Sequence, residues 1–338
     1  MNREATARYY SDDYAQARER FRAAAKTAGA ALDALPVLGE GPRSEALSID
    51  LAWLGPRDAR RVLIHSSGLH GIEGYAGSAV QLALLAHPPP LPPDCALLLA
   101  HALNPWGMAW GRRTNAANVD LNRNALPAGE AWAGSSPGYA RLDPLINPPS
   151  PPCADGFYPR ALLHVLRHGL GTSAQALAGG QYDYPEGLFF GGTGLQPELA
   201  AYRDWLRDRL CPVRDALVLD VHTGLGPRGR DTLIVERADH TALLAGLRET
   251  PEVRLRAPRG DDALGYRVRG GLVNLMTQAL PGARITHLIQ EFGTLPLLRM
   301  LHALREENRA HLHGGSAEGR GAVAKERLHQ AACPISPA

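Results

Sequence analysis

Lysine is almost missing from this chain, cysteine is sparse, and no long apolar run is present. Lys26 and Lys325 are the only lysines, and the resulting arginine preference is ascribed to a GC-rich genome rather than to phosphate recognition. Acid and base nearly cancel, 36 Lys plus Arg against 34 Asp plus Glu, so no broad field draws the protein to nucleic acid or to a membrane surface. The four cysteines, Cys95, Cys153, Cys211 and Cys333, lie far apart without a C-x-x-C pair. Neither a cysteine zinc site nor a disulfide framework is indicated, and a reducing cytoplasm is the expected location. The first thirty residues lack the apolar core of a signal peptide, and no stretch approaches the roughly 20 apolar residues of a spanning helix.

What is present is an alternation of strand and helix signals. Residues 12 to 35 have the pattern of an amphipathic helix, and SIDLAWLG that of an early strand. RVLIHSS (Arg61 to Ser67) is a buried strand, GLHGIEG a turn, and Ala76 to His87 a helix stopped by Pro88, Pro89 and Pro90. Further strands are expected at 96 to 103, 216 to 221, 232 to 236 and 285 to 292, with helices at 196 to 210, 272 to 280 and 296 to 312. Interleaving of this kind indicates an α/β sandwich around a largely parallel or mixed sheet. The stretch from Leu126 to Gly156, rich in Pro, Gly and Ser, does not have the pattern of regular structure. It is expected to be a long surface excursion, either a lid or a decoration.

His70 and Glu73 sit three apart in the glycine-rich turn after a buried strand, where α/β sheets place ligands. An imidazole and a carboxylate are two of the three protein ligands that a catalytic zinc takes. Alone, H-x-x-E arises often by chance. His222 ends a second strand (LVLDVH) and supplies a third donor. Glu291 ends a third (THLIQEFGT), where a carboxylate after an apolar run needs solvent, a metal or a partner, and where it could act as a general base. In RRTNAANVDLNRN the arginines Arg112, Arg113 and Arg123 alternate with Asn115, Asn122 and Asn124. Such density suggests an anion pocket, able to neutralise an oxyanion and to grip a carboxylate.

Taken together, these residues resemble the zinc carboxypeptidase family, the M14 metallopeptidases, over most of the chain from Ile64 to Thr294. The resemblance implies a three-layer α/β/α sandwich in one domain spanning residues 1 to 338, and one zinc ion per chain. It also implies His70, Glu73 and His222 as ligands, Glu291 as general base and Arg113 as the oxyanion arginine. Asn122 and Arg123 resemble the pair that binds the substrate's terminal carboxylate, and Arg112 is a further candidate from the same loop. Tyr266, in Y-x-x-x-G-G, resembles the mobile tyrosine that closes over substrate. Asp120 resembles the carboxylate that orients the first histidine, and Val273 the floor of the side-chain pocket. HGIEGYAGSA, NPWG, VDLNRN, the run from Gly187 to Thr193, DVHTGLG and QEFGT are similar to the bacterial branch called DUF2817. The implied activity is hydrolysis of an amide next to a free carboxylate in a short or modified peptide. The alternative is deacylation of N-acyl amino acids, as in the aspartoacylase and succinylglutamate desuccinylase type. The expected partner is a small substrate, not nucleic acid or membrane.

Overall fold

In the computed structural model the described residues are 7–239, 241–250, 253–256, 267–314 and 320–333. Eight strands form one mixed sheet: β1 (Ala31–Glu40), β2 (Ala46–Leu54), β3 (Arg61–Ser66), β4 (Cys95–His101), β5 (Asp215–Gly224), β6 (Asp231–Ala238), β7 (Leu255–Arg256) and β8 (Arg284–Gly293). Their order is β1-β2-β4-β3-β5-β8-β6-β7. The inner strands β4, β3, β5 and β8 run parallel, whereas β1/β2, β2/β4 and β6/β8 pair antiparallel. Parallel strands covered on both faces must be apolar almost throughout. Accordingly Val62, Ile64, Ala96 to Ala100 and Val218 are all buried.

Eleven helices are present among the described residues. In chain order they are α1 (Tyr14–Thr27), α2 (Gly74–Ala86), α3 (Pro105–Trp110), α4 (Pro137–Ile146), α5 (Phe157–His168), α6 (Leu170–Ala178), α7 (Pro197–Arg209), α8 (Thr241–Glu249), α9 (Leu272–Ala279), α10 (Leu297–His313) and α11 (Arg320–Ala332). The main apolar cluster joins the inner strands to α7 and α9, through Tyr202, Leu206, Leu275 and Met276. A separate cluster on the other side of the site unites α4, α6 and α10. None of the helices is long and apolar enough to cross a membrane.

Two expectations from the sequence change. The helix anticipated from 12 to 35 ends at Thr27, because Gly29 takes a left-handed φ of +73°. The chain then turns into edge strand β1, whose half-buried residues cover β2. The excursion 126 to 156 contains regular structure after all. Ser136 accepts from Tyr139 N and caps α4, with Pro137 at the first helical position. Tyr139, Leu142, Leu145 and Ile146 are buried. Helix α10 fastens the segment: Arg305 Nε donates to Leu145 O at 2.7 Å, and Arg309 donates to Ser150 O at 2.9 Å and Pro151 O at 2.7 Å. Proline and glycine obscured a helix whose apolar face repeats over only ten residues.

Chain order places the site. After β3 the chain moves to β4 on one side and returns through β5 on the other, so a crevice opens beyond the carboxyl ends of β3 and β5. Ligands bind at such a switch point in open α/β sheets.

Candidate metal centre and substrate cleft

His70 and Glu73 occupy the turn between β3 and α2, and both are buried. Gly71 makes the turn possible: at φ +29° a Cβ would lie 2.2 Å from Arg112 O. The same close approach, with Ile72 N donating to Arg112 O at 2.9 Å, carries Arg113 over the turn. Arg113 Nη2 then lies 2.7 Å from His70 Nε2, its Nε 3.0 Å from Asp120 Oδ2, and its Nη1 3.3 Å from Glu73 Oε1. Asp120 Oδ1 stands 3.3 Å from His70 Nδ1.

The second histidine comes from β5. His222 and Glu291 are register partners on β5 and β8, which sets the two side chains next to each other at the strand ends. The rings of His70 and His222 meet edge to face at 4.8 Å, and His222 Nδ1 is 3.6 Å from Glu73 Oε2. Glu73 Oε2 also accepts from Thr223 N at 2.8 Å, and Glu291 Oε1 from Leu225 N at 2.7 Å. His70, Glu73, Arg113, Asn122, Arg123, His222 and Glu291 thus line one cleft of about 350 Å³.

Burial and neighbouring charge set the protonation pattern. Burial and the Arg113 charge lower the His70 pKa to about 4. Burial works against the His222 cation too, yet Asp220 and Glu73 outweigh it and hold that pKa well above the usual value. Burial would raise the Asp120 carboxyl, but Arg113 and His70 hold it well below its ordinary range. Glu291 goes the other way: burial, with Glu73 nearby, pushes it up to about 7.

Do these side chains suit a metal ion? Two imidazoles and a carboxylate are a zinc donor set, and each imidazole has a carboxylate behind it, Asp120 for His70 and Asp220 for His222. Such backing fixes the tautomer and raises ligand basicity. Among the described residues no three such donors lie close enough together to form a cage, and Arg113 contacts both His70 and Glu73. The donor set and its backing fit a metal ion, with His222 Nδ1 facing Glu73 and Nε2 tied to Asp220.

Arg123 is 2% exposed and donates only to main-chain carbonyls, those of Ala178 at 2.9 and 2.6 Å and of Asn122 at 2.8 Å. Among the described residues no carboxylate forms an ion pair with it. A buried guanidinium in a cleft wall that no carboxylate contacts suits an anionic ligand. Gly270 enables this packing, since at φ +74° its Cβ would lie 2.2 Å from Arg123 O. Asn122 lines the cleft beside it and accepts from Leu272 N at 3.1 Å.

Not every residue singled out in the sequence arrives here. Arg112 is buried away from the cleft, where it donates to Glu307 at 3.0 and 3.2 Å, to Asn308 at 2.8 Å and to Asn118 at 3.1 Å. Its density signal reflected a structural ion pair with α10. Val268, not Val273, is among the residues lining the cleft. Tyr266 lies outside the described residues. Two groups were missed. Asp220 Oδ2 lies 2.7 Å from His222 Nε2 and its Oδ1 accepts from Ser66 Oγ at 2.6 Å; the aspartate two residues before the histidine in LVLDVH was the available signal. Phe189 lies under both guanidiniums, 5.3 Å from Arg113 and 5.5 Å from Arg123, and nothing in its local sequence announced that.

Solved structures are similar over most of the chain at low identity. Bovine thrombin-activatable fibrinolysis inhibitor, in complex with tick carboxypeptidase inhibitor, aligns with a TM-score of 0.50 at 14% identity, over 95% of this chain and 97% of that one. Carboxypeptidase A from Helicoverpa armigera aligns at 0.47 and 13%, over 94% and 73% of the two chains. Murein-tripeptide amidase MpaA from Escherichia coli O157 aligns at 0.41 and 17%, over 87% and 91%. No curated protein matches. The family model described as "Protein of unknown function (DUF2817)" matches residues 10–337, and the chain belongs to that family.

Proposed function

We propose that the protein is a zinc-dependent hydrolase of the metallocarboxypeptidase type, cleaving an amide bond next to a free carboxylate in a small substrate. The observation that carries this reading is the meeting, in one cleft, of the His70, Glu73 and His222 donor set with a buried Glu291 and an Arg123 that no carboxylate ion-pairs among the described residues. When bound by the two histidines and Glu73, a zinc ion would supply Lewis-acid polarisation and a nucleophilic water near neutral pH.

The chain's own residues account for the other requirements. Arg123, with Asn122, holds the substrate carboxylate and so fixes which amide reaches the centre. Glu291, with its pKa pushed up to about 7, is suited to take a proton from the attacking water and return it to the leaving amine. Arg113, over the cleft, can answer the negative charge that grows on the carbonyl oxygen. Asp120 and Asp220 orient the histidines from behind.

Elemental analysis should find one zinc per chain, and a panel of dipeptides and N-acyl amino acids should be hydrolysed. Glu291→Gln should retain zinc while turnover drops by at least about 10²- to 10⁴-fold; His70→Ala should lose both together. Full turnover in the zinc-loaded Glu291→Gln protein would refute the mechanism.

A further inference from the structure

Among the described residues, two helices give the cleft apolar walls. Helix α6 presents Leu170, Ala174 and Leu177 to it, positions spaced by four and three residues and therefore one stripe. Helix α10 presents Leu297, Met300, Leu301 and Leu304, again at helical spacing. Both stripes end in solvent: Leu177, Leu301 and Leu304 are buried, whereas Leu170 is 61% and Leu297 46% exposed. Two leucines left open at the mouth of a cleft that carries the reactive groups mark a ligand contact rather than a core.

The direction of the walls follows from what anchors them. The C-terminal end of α6 holds Arg123 through Ala178 O, so its stripe starts at the carboxylate anchor and extends roughly 12 Å to Leu170 at 1.5 Å per residue. The α10 stripe passes the reacting groups at Met300, since a Cβ on Gly224 would lie 3.6 Å from Glu291 Oε1 and 3.7 Å from Met300 Cε, and one turn away it ends at the exposed Leu297. A substrate anchored by its carboxylate at Arg123, with its amide at Glu291, therefore directs its acyl part along leucine and methionine side chains.

This distinguishes two kinds of acyl part. A peptide would bring an ammonium or a further amide, and a buried polar group without a partner costs free energy. Neither stripe carries a side chain that can hydrogen-bond, and the exposed Arg256 at the rim would repel an ammonium. An aliphatic chain meets no such penalty. Resting on the hydrolase reading above, we infer that the substrates are N-acyl amino acids with an extended aliphatic acyl group. Hydrolysis breaks the C–N bond: water gives its hydroxyl to the acyl carbon, forming a fatty acid, and its hydrogen to the amine of the released amino acid.

The test is a series of N-acetyl-, N-butanoyl-, N-hexanoyl- and N-octanoyl-alanine, alongside the dipeptides Leu-Ala and Phe-Ala. The zinc-loaded protein should show kcat/KM rising along the series, by at least about tenfold from acetyl to octanoyl, and exceeding both dipeptides. Leu170→Gln and Leu297→Gln alter exposed side chains and should leave the fold unchanged by circular dichroism, while lowering the octanoyl rate severalfold more than the N-acetyl rate. A flat or falling series, faster dipeptides, or variants that keep full octanoyl preference would overturn the inference. If nothing is hydrolysed the hydrolase reading fails, and calorimetric titration then decides this one separately. Octanoyl-alanine must bind more tightly than acetyl-alanine, and equal binding would overturn it.

Discussion

Replacing Glu291 by Gln should make the protein more stable at alkaline pH, although it removes the proposed base. The carboxyl is buried at the end of β8 with Glu73 nearby, and its pKa rises from 4.5 to about 7. A carboxyl whose folded pKa exceeds its unfolded value stabilises the fold only while protonated. Its contribution is complete below pH 4.5, declines from there to about 7, and above 7 the ionised group opposes folding by a constant amount. At about 1.4 kcal/mol per pH unit, the gap between 4.5 and 7 corresponds to about 3 kcal/mol. Glutamine stays neutral and its side-chain oxygen can still accept from Leu225 N, which now bonds Oε1. The assay is urea denaturation of both proteins stripped of divalent metal by a chelator, so that only protein charges act on residue 291. The two should unfold alike near pH 4.5, and at pH 8.5 the variant should be more stable by about 2 to 3 kcal/mol. A variant less stable at pH 8.5, or a difference that does not change with pH, would show that Glu291 is not desolvated as the cleft requires.

Three further outcomes follow from other contacts. Arg123→Met should lower kcat/KM on substrates with a free carboxylate by about 10- to 100-fold, the worth of a charged hydrogen bond, and leave the much slower rate on C-terminal amide analogues unchanged; an equal loss on both would contradict the anchoring role. Arg112→Met should cost about 3 to 5 kcal/mol of stability, because Glu307 would remain buried and unpaired, yet zinc content and the KM of the folded protein should not move. Metal affinity, measured by competition with a chelator of known pH dependence, should increase with pH across neutrality, and an affinity independent of pH would contradict the protonation pattern of the site.

The inner sheet was legible because β3, β4, β5 and β8 lie inside the sheet and are written as largely apolar runs, and the candidate site residues sit where those runs stop. His70, Glu73, His222 and Glu291 share that signature and meet in space. Edge strand β1 was not legible, since its half-buried pattern, following α1, is compatible with a continuing helix until Gly29 turns the chain. The excursion concealed α4 because Pro137 and Pro144 look like breakers; Pro137 instead occupies the first helical position, where its missing N–H has no cost. Arg112 and Arg113 are adjacent and identical in kind, and only the path of the backbone, fixed by Gly71 against Arg112 O, decides which enters the cleft. Local sequence cannot separate such a pair, because the deciding partners, Glu307 and Asn308, lie almost two hundred positions away.

Charge balance links the protonation pattern to the proposed zinc. Glu73, Asp120, Asp220 and Glu291 are all at least 94% buried, and the guanidiniums whose charge acts on them are Arg113 and, at Asp120, Arg123. With neutral imidazoles, four carboxylates facing two guanidiniums leave two negative charges in a region that solvates charge poorly. The protein alone can offset them only by binding protons, and the two groups pushed upward in pKa, His222 and Glu291, are those that would bind them. A divalent cation brings the same two positive charges. It would also require His222 in the neutral form, since an imidazole cannot hold a proton and a metal on one nitrogen. Proton and metal thus compete for one electrostatic deficit, and the site should prefer the metal increasingly as pH rises. Asp220 fits this view better than a purely structural role. Through Ser66 on one oxygen and His222 Nε2 on the other, it directs Nδ1 of His222 toward Glu73, where the donor set needs it.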